Sequence, residues 1–225
     1  MNISEYVAPV LAVDSVIFQL RNNKLEVLLI ERQGEPFKNM WALPGGYINL
    51  GETTQVAMDR VLEEKAGVVP KDLALVVQLY TFDTIARDPR GHAVSVTYMG
   101  VGRDIQPLQN HTVHNPTFFP VNEIPDMAFD HADIIAYAHK RLKAKLGYTN
   151  ACFALLGKEF TLSQLQAAYE AVLVRTLDKR NFRKKFLALG LIEETNKMRR
   201  DGAHRPARLY RFKSEGLQTL TRSFD

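Results

Sequence analysis

One run of the chain constrains its fold more than any other: LPGGYINLGETTQVAMDRVLEEKAGV, from Leu43 to Val68. Pro44, Gly45 and Gly46 interrupt regular structure, and glycine lets backbone approach a neighbour or a ligand closely. A helix is predicted to follow from about Thr54 to Ala66, with a threonine at its cap and Gly67 as its stop. Strands flank this run. Val10, Ala12, Asp14, Val16 and Phe18 alternate with Leu11, Val13, Ser15 and Ile17, the period of a strand. Asn22 and Asn23 turn the chain into a second strand over 25–30, giving a hairpin. Both strands are apolar on two faces, so the sheet is expected to be covered on both sides. Residues 73–82 and 93–100 read as two more strands around ARDPRGH, and 118–121 as a short one. Residues 132–146 read as a helix with Ile135, Ala138 and Leu142 along one side.

The 225-residue chain is 46% hydrophobic and 24% charged, the balance of a globular protein with a core. No apolar run is long enough to span a bilayer. MNISEYVAPV lacks the basic start and apolar stretch of a secretory signal. The single cysteine, Cys152, cannot close an internal disulfide, which suits a reducing cytoplasm. The net charge of +4 conceals an asymmetry: residues 1–150 hold 14 Lys and Arg against 17 Asp and Glu, and residues 151–225 hold 15 against 8. An acidic body with a basic end points to two domains with different partners. Residues 147–157 read as the hinge between them.

Beyond the hinge, FTLSQLQAAYEAVL opens with a capping box, Thr161 with Gln164 three residues on. Leu162, Leu165, Tyr169 and Leu173 recur at helical spacing. The turn RTLD leads to a second helix, capped by Asp178 and ended by Gly190, with Phe182, Phe186 and Leu189 as its apolar stripe. Arg180 and Lys184 lie opposite that stripe, flanked by Asn181 and Arg183. IEETNKMRRDGAHRPARLYRF then reads as strand, charged loop, strand.

Helix, short turn, basic helix and two-stranded wing make the winged helix-turn-helix plan, whose second helix enters the major groove of DNA. Arg and Lys can meet guanine there and Asn adenine, while most of the cations would hold phosphates. The candidate DNA-binding residues are Arg180, Asn181, Arg183 and Lys184 on the helix. On the wing they are Arg199, Arg200, His204 and Arg205, with Lys197 and Arg208 close by. The bland alternatives are a solvated basic surface or a docking module for an acidic protein, which would lack the steep salt dependence of DNA binding. Tyr169, Phe182, Phe186, Tyr210 and Phe212 are expected in the core. His111 and His114 have no supporting ligands and read as loop residues. Phe129-Asp130-His131 has two readings, the edge of a site or, preferred, Asp130 as the cap of the helix that follows it.

The run at Gly46 resembles the Nudix box. Gly46, Glu52, Arg60, Leu62, Glu64, Gly67 and Val68 fall in the family's register, and LPGG before them matches common members. The resemblance implies a Nudix α/β/α sandwich. The whole chain is then expected as α+β: a Nudix-like ligand-sensing domain over residues 1–147, a linker over 148–158 and a winged helix-turn-helix domain over 159–225.

Two box positions depart from the pattern. Val61 replaces a glutamate, and Lys65 replaces the second of a glutamate pair. Residues at i, i+3 and i+4 share a helix face, so carboxylates at 61, 64 and 65 would together hold a hard divalent cation. That ion would neutralise a pyrophosphate and activate a water. Without them no catalytic residue and no metal site is expected. Glu63 lies about 100° away around the helix, and Glu52 with Glu64 would hold Mg²⁺ only weakly. On the family's pattern Arg60 would pair with a carboxylate and brace the loop. The binding shell is better kept. Arg87-Asp88-Pro89-Arg90-Gly91 is similar to the corresponding loop of ADP-ribose-type Nudix proteins, and arginine forks suit phosphate oxygens. Arg32, Gly45, Gly46, Glu52, Glu64, Arg87 and Arg90 are the candidate ligand-binding residues.

A degenerate Nudix domain followed by a winged helix resembles the Nudix-related transcriptional regulators of NAD metabolism over nearly the whole chain. The most specific parts are LPGG with the broken box, RDPRG, FDH, NFRKKF and HRPARLYRF. The resemblance implies a cytoplasmic homodimer on a palindromic double-stranded operator, repressing genes of NAD synthesis or salvage. It also implies ADP-ribose or a related nucleotide as effector, with no cofactor required. Two alternatives stand beside it: a hydrolase acting on ADP-ribose-type diphosphates, and a sugar-responsive, arabinose-type regulator of the same domain order. The glycines and the loop arginines suit a diphosphate and favour ADP-ribose.

Overall fold

Strands Val10–Arg21 (β1) and Lys24–Glu31 (β2) form the expected hairpin. Its turn residues Asn22 and Asn23 both take positive φ, a conformation asparagine tolerates better than most residues. The computed structural model describes residues 7–108, 114–200, 206–214, 216–220 and 224. Trp41–Ala42 (β3), Gly45–Tyr47 (β4), Leu73–Phe82 (β5), Ala93–Gly102 (β6) and Thr117–Pro120 (β7) complete the sheet. Its order is β3-β2-β1-β6-β5, with β4 also pairing with β1 and β7 with β2.

β1 and β6 run parallel at the centre. A parallel pair requires cover on both faces, and two helices supply it. Helix α1 (Thr54–Ala66) lays Ala57, Met58, Val61 and Leu62 on one face. Helix α2 (His131–Tyr148) lays Ile134, Ile135, Ala138 and Leu142 on the other. The alternation of β1 divides accordingly: Val13 and Ile17 join the α1 core, Val16 and Phe18 the α2 core. The ends of α1 follow the local signals, since Thr53 accepts from the Val56 N–H and Gly67 closes the helix at φ 61°.

The second half follows the winged plan. Helix α3 (Leu162–Leu173) carries the complete Thr161–Gln164 capping box. Helix α4 (Lys179–Ala188) is capped by Asp178, which accepts from the Asn181 N–H. Strands Ile192–Arg199 (β8) and Ala207–Phe212 (β9) pair antiparallel as the wing. Tyr169, Phe182 and Phe186 are buried, as expected of core residues, whereas Tyr210 and Phe212 are only partly buried against the same core.

The stretch expected as a hinge behaves otherwise. Residues Ala151–Leu155 wind a 3₁₀ turn, and Ala151, Cys152, Ala154 and Leu155 are buried against β5, β6 and α3. Burying these apolar side chains removes them from water, which a free tether could not do. One continuous core then runs from Val16 and Phe18 through α2, α3 and α4 to Ile192. His139 of α2 donates from Nε2 to the Val172 carbonyl of α3 at 2.7 Å. The end of the chain adds a strap. The Asn150 and Leu220 N–H groups donate to Gln218 and Tyr148 carbonyls, and the Phe224 ring lies 5.0–5.8 Å from Tyr169, Phe182 and Phe186. Among the described residues no helix is long and apolar enough to cross a membrane.

Candidate functional site

A cleft of about 250 Å³ opens above β1 and β4, walled by α1, the β5–β6 loop and the start of α2. Its floor is a buried ionic cluster. Asp14 on β1 accepts from Ser95 Oγ at 2.6 Å and from Arg87 Nη2 at 3.2 Å. Arg87 also donates to both carboxylate oxygens of Asp130, at 2.8 and 3.0 Å. Burial opposes the charge on Arg87, but the Asp130 hydrogen bonds and the field of Asp14 outweigh it and raise its pKa.

His131, the first residue of α2, accepts the Leu43 N–H on Nδ1 at 2.9 Å. The ring proton therefore sits on Nε2, 3.6 Å from Asp14 Oδ1. Burial lowers the His131 pKa despite Asp14 and Asp130, so the ring is neutral. The two glycines have packing reasons as well as a place in the cleft. A Cβ on Gly45 would overlap Asp14 Oδ1, and one on Gly46 would lie 3.0 Å from Val61 Cγ2.

Above the floor sit three further cations. Lys65 Nζ donates to the Gly45 carbonyl; burial, then Arg32, lowers its pKa. Arg32 donates to the carbonyls of Pro36 and Gly34 and lies 4.6 Å from the Phe129 ring centroid. Arg90 is forked onto Asp88 at 2.7 and 3.0 Å and faces the Tyr47 and Phe129 rings at 5.5 and 5.6 Å. The cleft thus combines cations for an anionic group with aromatic faces for a flat one.

The structure gathers Arg32, Gly45, Gly46, Arg87 and Arg90 in the cleft. Glu52 and Glu64 are not among its lining residues. Both grip Arg60 instead, Glu52 at 2.7 and 2.8 Å and Glu64 at 3.3 Å. The Arg60 hydrogen bond pulls the Glu52 pKa down to about 2, and Arg60 reaches the Tyr47 carbonyl at 3.0 Å, bracing the loop as the resemblance implied. Arg87 is not a free fork, because two carboxylates hold it. Asp130 makes no capping hydrogen bond at the head of α2; its carboxylate is taken by Arg87 from 43 residues away.

A divalent metal does not fit here. Val61 is buried under Gly46, and an ammonium occupies the other glutamate's place. Among the described residues no group of three His, Cys, Asp or Glu could hold an ion.

The sequence does not assign Asp14 or Tyr47 to the site; Phe129 and His131 line it, on the segment whose second reading is a site edge, and His114, which reads as a loop residue, lines it too. Asp14 carried a readable signal: an acid inside VLAVDSVIF, on a strand buried on both faces, needs a charged or hydrogen-bonding partner.

The candidate DNA surface divides in the same way. Arg180, Asn181 and Lys184 are exposed on α4, opposite buried Phe182 and Phe186. Arg183 instead donates to Ser163 Oγ at 2.9 Å and ties α4 to the start of α3. Arg199 and Arg200 are exposed at the end of β8. His204 and Arg205, like His111, lie outside the described residues. Lys197 is paired with Glu159 at 3.0 Å and Arg208 with Glu194 at 2.7 Å, so these wing cations carry less net field than their number implies.

Comparison with known proteins matches the same two regions. The family model NUDIX domain covers residues 10–138, and the NrtR DNA-binding winged helix domain covers residues 152–212. An Acinetobacter baylyi protein, ADPR responsive transcriptional repressor NtrR, is 36% identical over 214 residues, which are 93% of this chain and 84% of that protein. The crystal structure of Shewanella oneidensis NrtR complexed with a 27mer DNA aligns with a TM-score of 0.79 at 32% identity, covering 96% of this chain and 99% of that one. The Nudix domain of that NrtR complexed with ADP ribose aligns with a TM-score of 0.53 at 33% identity, covering 63% and 94%.

Proposed function

The chain belongs to the Nudix family, in the group whose Nudix domain is followed by an NrtR DNA-binding winged helix domain, and on that premise we propose that it is a transcriptional repressor released or tuned by ADP-ribose. Operator DNA is held by α4 and the wing, and ADP-ribose is an effector of the Nudix cleft rather than a substrate. The regulated genes belong to NAD synthesis or salvage. A homodimer presents two α4 helices roughly 34 Å apart to successive major-groove faces of a palindrome.

The observation that carries this reading is a cationic, aromatic-walled cleft in which, among the described residues, no group of three His, Cys, Asp or Glu could hold an ion, built on the same core as a basic exposed helix. Communication has a physical route. His131 lines the cleft and begins α2; two turns on, His139 holds α3 through Val172; α3 packs on α4. A ligand that resets the His131 end of α2 would tilt α3 and α4. Only a ligand that binds the two arrangements unequally can shift them.

The test is fluorescence anisotropy with the DNA upstream of this gene and of neighbouring NAD or sugar genes, across a salt series, with ADP-ribose and with arabinose. Selective binding that steepens at low salt and responds to ADP-ribose supports the proposal. A response to arabinose alone would transfer the chain to the sugar-responsive group. Hydrolysis of ADP-ribose at about 1–10³ s⁻¹ would make it an enzyme.

A further inference from the structure

We infer that the Lys65 ammonium, held by the Gly45 carbonyl, stands where a Nudix site would place its divalent cation, so that the cleft binds a metal-free diphosphate and Mg²⁺ opposes binding. The inference rests on the ADP-ribose reading and names what meets that ligand's charge.

Val61 and Lys65 are one helical turn apart and face β4 together: Val61 lies against Gly46, and Lys65 Nζ reaches the Gly45 oxygen. This is the face from which glutamates at 61 and 65 would have pointed. A hard cation seeks oxygen ligands, and here an N–H takes the carbonyl. An ammonium carries three N–H groups, which leaves two to meet phosphate oxygens, a role lysine fills as a point charge.

The charge balance of the cleft is uneven. Arg87 lies between Asp14 and Asp130, and Arg90 is forked onto Asp88. Arg32 and Lys65 differ, because the hydrogen bonds they make go to the neutral carbonyls of Gly34, Pro36 and Gly45. They also repel each other: Arg32 is the second cause, after burial, of the lowered Lys65 pKa. Asp14 and Glu64 offset this only in part at Lys65, as Asp88 and Glu35 do at Arg32, so the pair still favours an incoming anion, and a diphosphate brings two charges. The same pair repels Mg²⁺, and ADP-ribose chelated to Mg²⁺ would have to shed the ion to enter.

Isothermal titration calorimetry of the full chain tests this, with ADP-ribose and inorganic pyrophosphate as probes, in EDTA and in Mg²⁺. Thermal melting checks the folding of each variant. Wild type is expected to bind ADP-ribose in EDTA and several-fold more weakly in Mg²⁺. Lys65→Met should bind about 10- to 100-fold more weakly in EDTA, the scale of a hydrogen bond to a charged group. Lys65→Glu should lose binding in EDTA and regain part of it in Mg²⁺. Wild-type binding that requires Mg²⁺, or unchanged binding by Lys65→Met in EDTA, overturns the inference and leaves the effector reading standing. If wild type binds pyrophosphate but not ADP-ribose, and Lys65→Met binds neither, the effector reading falls and the role of Lys65 survives.

Discussion

Asp14 organises the cleft floor from the middle of a strand. It meets Arg87, Ser95 and His131, and its Oδ1 is the atom that any side chain on Gly45 would strike. Both partners of the Asp14–Arg87 pair are almost fully buried, so removing one leaves the other partly uncompensated. Asp14→Ala is expected to destabilise the fold by about 3–5 kcal/mol in urea denaturation; a loss below about 1 kcal/mol would show that Asp130 satisfies Arg87 alone. The buried histidines give stability a pH dependence. Burial lowers the pKa of His131 and His139, so the unfolded chain takes up protons the native state refuses. Their contribution is full above about pH 6.5 and is lost as pH falls. Glu52, held near 2 by Arg60, loses its share at lower pH, between about 4.5 and 2. Melting temperature should therefore drop between pH 7.5 and 5.5, and His131→Asn, which keeps an acceptor for Leu43, should flatten that drop. An unflattened curve would mean His131 is not the proton-refusing group. At this scale the Val61 and Lys65 departures were legible because register along one helix is local. The partners of Arg87 were not, lying 43 and 73 residues away in sequence.

Elements were most readable where their signals were short-range. Thr161 with Gln164, Asp178 and Gly67 each mark a helix end through bonds spanning a few residues. Thr161→Ala should cost about 1 kcal/mol, measured by thermal melting. The exposed face of α4 separates two kinds of cation. Arg180→Ala and Lys184→Ala should each weaken operator binding and, where the contact is a phosphate, reduce the salt slope by about 1. Arg183→Ala should chiefly lower stability, since Arg183 holds Ser163. A salt slope that moved for Arg183 and not for Lys184 would reverse this assignment. The segment 147–157 misled because Gly147, Thr149, Asn150 and Gly157 look like a loop, while the burial of Ala151–Leu155 depends on strands β5 and β6, at least 49 residues earlier in sequence.

For the whole molecule, the sandwich and the wing were legible from periodicity and the box, whereas their fusion into one core was not. That fusion arises from contacts no local pattern encodes: α3 on β2 and α2, and Phe224 on the aromatic stripe of α4. Phe224→Ala should lower stability by up to about 3 kcal/mol and weaken the effect of ADP-ribose on the operator, because the strap links α4 to the end of α2. An effect of ADP-ribose that is undiminished in a folded Phe224→Ala protein would remove the strap from the coupling. In the proposed function this Nudix cleft reads ADP-ribose without consuming it and passes the result to α4. The most direct measurement is to titrate ADP-ribose into the protein–operator complex in EDTA, following anisotropy and then recovering the nucleotide. Anisotropy is expected to fall and the ADP-ribose to come back intact. Unchanged anisotropy, or recovery of AMP and ribose phosphate in its place, would contradict the proposed function.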